Sequence, residues 1–147
     1  MTSTMTGGCQ CGRVRYAAET ASNDGYLCHC TMCQRATGGV AAAFHGLAKA
    51  AVTWEREPDR YRSSPIAQRG FCSHCGTPLT FEFDDSTRMD LTIGSFDDPG
   101  HFKPRQHYAI ESWHKDWLDT HALPAMRTED NKTVVDQWMR ACGKLPD

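Results

Sequence analysis

The chain has 147 residues, 39% of them hydrophobic and 23% charged, with a formal net charge of -2. That length suits one domain with a core of moderate size, and the charge balance excludes a polyelectrolyte that would bind nucleic acid through charge alone. The opening MTSTMTGG has no basic segment leading into an apolar run, and the longest apolar stretch, Val40 to Phe44, is far too short to span a bilayer. A cytoplasmic protein with no membrane and no nucleic-acid partner is therefore expected.

In chain order, residues 1–6 read as a flexible N-terminus. RVRY (13–16) and VAAAF (40–44) read as short strands separated by Asn, Asp and Gly. In PLTFEF (78–83), Leu79, Phe81 and Phe83 alternate with Thr80 and Glu82, the period of a strand with one buried face. MDLTI (89–93) repeats the pattern through Met89, Leu91 and Ile93, and the intervening DDST supplies turn chemistry, so the two segments predict a hairpin. GSFDDPGHFKP reads as a loop, with Asp97, Asp98 and Pro99 forming a turn. From Val134 to Cys142 the apolar residues recur at helical spacing, which predicts one terminal helix and places Cys142 on its face as a small buried hydrophobe.

A reducing compartment makes a dense cysteine pattern metal-binding or catalytic rather than disulfide-bonded. Cys9 and Cys11 form a C-x-C, Cys28, Cys30 and Cys33 a C-x-C-x-x-C, and Cys72 and Cys75 a C-x-x-C. Four plus three ligands match one closed structural zinc site and one site with a position left for water or substrate. The flanks suggest the pairing. Gly12 and Gly76 directly follow the last cysteine of GGCQCG and FCSHCG, where a metal knuckle needs a tight turn, whereas CHCTMCQR has no such glycine. Cys9, Cys11, Cys72 and Cys75 are therefore expected to form the closed site.

For the triplet, a closed site completed by His29, His45, His74 or His107 and an open catalytic site are both compatible with the residues. His29 is awkward as a ligand, because a residue between two ligands of an extended C-x-C faces the other way. In an open site zinc would hold an incoming thiol as a thiolate. Arg35 and Arg69 could then pair with the carboxylates of a substrate. His45 and His107 are candidates for proton handling. Ser63 and Ser64 read as loop residues near the metal sites, and Phe71 as buried against the closed one. Trp113 and Trp117, four apart, either pack together or line a pocket.

Taken together, GGCQCGRVRY, CHCTMCQRATGG, YRSSPIAQRGFCSHCGTPL, IGSFDDP and HYAIESWHKDWLDTHALP resemble, in order and spacing, the glutathione-dependent formaldehyde-activating and centromere protein V family. The resemblance runs over residues 7–124, leaving residues 1–6 as the flexible N-terminus and residues 125–147 as a helical extension. It implies a mainly β, β-tent zinc fold of short antiparallel sheets with a C-terminal helix. It also implies two zinc sites: Cys9, Cys11, Cys72 and Cys75 as structural ligands, and Cys28, Cys30 and Cys33 as the exposed catalytic set. The implied activity is a carbon-sulfur lyase joining glutathione and formaldehyde as S-hydroxymethylglutathione, with a small thiol as partner and a monomer or homodimer as the assembly. The alternative is a non-catalytic zinc module for protein interaction, or a carrier of glutathione and formaldehyde.

Overall fold

The computed structural model describes residues 1–145. It divides into two compact units, Met1–His114 and the residues from Lys115 onward, each described by itself. The helical extension was expected over residues 125–147.

Unit one is built of strands. β1 (Ser3–Gly8), β2 (Arg15–Thr20) and β5 (Val52–Trp54) form an antiparallel three-stranded sheet in the order β1-β2-β5. The other strands are β3 (Asp24–Cys28), β4 (Ala42–Ala48), β6 (Asp59–Ser64), β7 (Ala67–Phe71), β8 (Pro78–Phe83), β9 (Arg88–Thr92) and β10 (Lys103–Tyr108). They form a seven-stranded sheet in the order β10-β3-β4-β9-β8-β7-β6. It is antiparallel except where β10 runs parallel to β3. The mainly β expectation holds, and so does the hairpin of β8 and β9. The flexible N-terminus does not: Ser3 pairs with Thr20 and Thr6 with Ala17, because β1 completes the ladder of β2.

The main core packs residues of both sheets, Tyr16 and Ala18 of β2 with Leu47, Leu79, Met89 and Leu91 of β4, β8 and β9. Side chains alternate along a strand, so Phe44 and Asp90 turn to the opposite face of the large sheet from Leu47 and Leu91. There a second cluster gathers Cys28, Cys33, Ala42 and Phe44, with Tyr26 and Phe81 packed against it.

β8 departs from its alternating pattern. Thr80 and Glu82 are buried while Phe83 is 49% exposed. Thr80 lies opposite Leu91 and therefore faces the main core. Glu82 is tolerated on that side because Arg60 Nε donates to it at 2.8 Å and Lys49 Nζ lies 3.7 Å away.

In unit two, α2 (Lys132–Cys142) is the expected terminal helix, with the Asn131 side chain accepting from Val134 N–H at its start and Gly143 left-handed at its end. Cys142 is exposed rather than buried, its thiol donating to the Trp138 carbonyl one turn back. No helix of the described residues is long and apolar enough to cross a membrane.

Candidate metal centres and an adjoining cleft

The first cysteine group sits on two strand connections. Cys9 and Cys11 lie between β1 and β2, and Cys72 and Cys75 between β7 and β8, so the group draws a connection of each sheet to one point. Gly12 and Gly76 adopt φ of 79° and 80°, a left-handed conformation costly for residues with a Cβ. Each closes its knuckle through its N–H, Gly12 to the Cys9 carbonyl and Gly76 to the Cys72 carbonyl.

The four sulfurs all lie within 4.8 Å of one another. Cys9 and Cys11 sulfurs are 3.5 Å apart and Cys11 and Cys72 sulfurs 3.8 Å, far too long for disulfides, and all eight cysteines are free thiols. Tetrahedral zinc with Zn–S bonds of about 2.3 Å separates its sulfurs by about 3.8 Å, so this donor set is compatible with zinc. The Val14 N–H donates to Cys9 Sγ, and the Thr77 hydroxyl beside Cys75 lowers its thiol to about 5. Both favour the charged sulfur a metal requires.

The second group is arranged by a short helix that the sequence pattern did not predict, α1 (Thr31–Thr37). Cys28 ends β3, Cys30 caps α1 by accepting the Cys33 N–H at 3.3 Å, and Cys33 follows within the first turn. The intervening His29 is locked in place: its N–H donates to the Tyr108 carbonyl, and the Gln34 amide donates to its carbonyl at 2.7 Å. Gly38, at φ 76°, ends the helix. The three sulfurs lie within 4.8 Å of one another, with Cys28 and Cys30 3.6 Å apart, a spacing also compatible with zinc.

Among the described residues, no histidine or carboxylate joins either group. His29 is fully buried, its Nε2 lies 2.8 Å from His107 Nδ1, and both rings stack with Trp113. His45 donates from Nδ1 to the Asp24 carbonyl and packs against Phe102. The histidines offered as fourth ligands by the closed-site alternative are thus not brought into the group. Trp117 is exposed, and Phe71 packs edge-on against Tyr61.

Arg69 is 5% exposed; its guanidinium donates to Cys33 Sγ at 3.3 Å and lies 4.8 Å from the centre of the Phe81 ring. A hydrogen bond from Cys28 and then the hydrogen bond and charge of Arg69 bring the Cys33 thiol down to about 5, while Cys28 is raised because it keeps its proton as donor to Cys33 and because it is buried.

Beside these sulfurs opens a cleft of about 800 Å³. Cys28, Cys30, Cys33 and Arg69 line it, as do Ser63 and Ser64. Arg35, on the exposed side of α1, does not, which corrects its expected place beside Arg69. His45 and His107 are also absent from the lining; the titratable groups found there instead include Tyr26, Asp90 and Glu111. Burial raises both the Asp90 carboxyl and the Tyr26 hydroxyl. Gly46 lies opposite Asp90 on β4, where an added Cβ would come within 2.9 Å of the carboxylate. The alternation of MDLTI carried a signal for Asp90, since it must face away from Met89 and Leu91.

The family model described as glutathione-dependent formaldehyde-activating enzyme matches residues 4–115. An uncharacterized lyase of Schizosaccharomyces pombe is 31% identical over 77 residues, covering 52% of this chain and 56% of that protein. The aligned region thus spans just over half the length of that curated relative. A crystal structure of a Rhodobacter sphaeroides protein aligns with a TM-score of 0.54 at 21% identity, covering 63% of this chain and 88% of that one, and shows the same fold.

Proposed function

The chain belongs to the glutathione-dependent formaldehyde-activating enzyme family, and on that footing we propose that it is a zinc-dependent carbon-sulfur lyase, making and breaking the bond between a thiol and an aldehyde carbon. The observation that carries this reading is the convergence of three cysteine sulfurs, with no fourth protein ligand among the described residues, at a cleft of about 800 Å³. A purely structural site closes with four protein ligands, as the other group can. A cleft of this size also favours a small-molecule site over a module built only for protein contacts.

Zinc bound by Cys28, Cys30 and Cys33 would leave one coordination position and lower the pKa of a thiol placed there. The chain supplies the rest. Arg69 balances the negative charge gathered on the three sulfurs, and the Gln34 and Tyr108 contacts hold the loop that carries them. In the bond-forming direction the thiol loses its S–H proton to solvent, its sulfur shares an electron pair with the aldehyde carbon, the C=O π pair moves to oxygen, and that oxygen takes a proton. Cleavage is the reverse. Asp90, its carboxyl raised by burial, is the cleft group suited to give and recover this proton.

Glutathione and formaldehyde, named in the family description, are the first substrate pair to test. The free thiols fit a reducing, cytoplasmic setting. The test is the exchange rate between labelled formaldehyde and its thiol adduct, read by NMR with metal-replete protein and with a folded Cys30→Ser variant. Acceleration by the wild type alone is expected; equal rates for both and for buffer would overturn the lyase reading.

A further inference from the structure

Four of the large hydrophobic side chains exposed on this chain, Met32, Ile66, Phe83 and Tyr108, line the same cleft, with Ile66 63% and Tyr108 60% exposed. Tyr26 and Phe44, their ring centres 5.7 Å apart, extend the apolar lining toward the cysteines, and Phe81 adds a third ring. An apolar surface concentrated around a concave site marks the shape and chemistry of what enters it.

The charges agree. Arg69 is the one cationic side chain among the described lining residues, and it is engaged by Cys33 and the Phe81 ring. The other lining residues with an ionisable carboxyl are Asp90 and Glu111. Arg88 offsets part of the charge of Asp90 without lining the cleft. A glutathione thiolate brings two carboxylates and one ammonium group. Its carboxylates would need guanidinium or ammonium partners, and they would meet Glu111, the buried carboxyl of Asp90 and a row of rings instead.

We propose that the thiol taken by this site has an uncharged or cationic body bearing an aryl group, and that the cleft discriminates against anionic tripeptide thiols. This rests on the reading that the three-cysteine centre accepts a thiol, and narrows what that thiol is. The sulfur meets Cys28, Cys30 and Cys33, and the body lies along the rim formed by Ile66, Phe83 and Tyr108.

The test is calorimetric binding of phenylmethanethiol and of glutathione to the metal-replete protein, repeated with Phe83→Ser and Glu111→Lys. Phenylmethanethiol is expected to bind about tenfold more tightly than glutathione. Phe83→Ser, at a half-exposed position, should weaken phenylmethanethiol several-fold and leave glutathione unchanged, while Glu111→Lys should tighten glutathione. Glutathione binding as tightly as phenylmethanethiol, or more so, overturns this inference and leaves the thiol-binding reading standing. So does an aryl thiol indifferent to Phe83→Ser. Binding of neither thiol overturns both.

Discussion

Arg69 on β7 donates a hydrogen bond of 3.3 Å to the sulfur of Cys33 on α1, joining residues far apart in sequence through a cation almost wholly removed from water. A buried guanidinium needs a negative partner, and here the partner is a candidate metal ligand. Arg69→Met should therefore weaken metal binding at the three-cysteine centre on the order of tenfold, as loss of a residue supporting a ligand does. The four-cysteine centre should keep its affinity. Competition with a chromophoric chelator, resolving two affinities per chain, checks this.

The two cysteine groups should differ in what their loss does. Cys11→Ser removes a ligand that helps tie the β1–β2 connection to the β7–β8 connection, so metal content and the cooperative thermal transition should fall together. Cys30→Ser should reduce metal content with a much smaller change in the transition, because strand pairing already holds β3 on both sides. Metal analysis alongside calorimetric melting separates the two behaviours.

Glu82, buried between Arg60 and Lys49, should be costly to remove. Glu82→Ala leaves Lys49 and the Thr80 hydroxyl without this acceptor and Arg60 with only its pairing to Glu57, and should destabilise the fold by about 2 kcal/mol. The denaturant midpoint measures it, with Phe83→Ser on the same strand as a comparison of small expected effect.

Acid should weaken the fold through Asp97 and Asp59. Hydrogen bonds from Arg15 and Thr6 hold Asp97 at about 2, and bonds from Ser73 and Arg13 hold Asp59 at about 2. An unfolded aspartate titrates near about 3.9. Both carboxylates therefore contribute stability that is present above about pH 4 and lost as pH falls toward about 2. The wild type should be more stable than Asp97→Asn at neutral pH, and the difference should close across that window. Paired urea titrations report the difference directly, since cysteine protonation affects both proteins alike.

Much of this was legible in the sequence, for identifiable reasons. Gly12 and Gly76 marked the partition of the cysteines because a knuckle requires positive φ, and both residues adopt it. The β8–β9 hairpin was legible from its alternation and turn. What was not legible depended on distant partners. Nothing near Glu82 announces Arg60 or Lys49, so an alternating pattern placed it in water. Arg69 was legible as a candidate cation for the site, but not as a partner of the Cys33 sulfur, because that contact depends on where its strand carries it. Arg35, adjacent to the triplet in sequence, is turned outward by α1, whose seven residues were too few to show a period. The N-terminus looked flexible because its ordering comes from pairing with β2.

The central claim is that three thiolates hold a metal ion and leave one position for a substrate thiol. X-ray absorption at the zinc edge, recorded before and after adding phenylmethanethiol, tests it most directly. The account predicts a rise in the mean number of sulfur ligands per zinc on addition of the thiol, and no rise in Cys30→Ser protein that retains only the four-cysteine ion. A wild-type sulfur count unchanged by saturating thiol would contradict it.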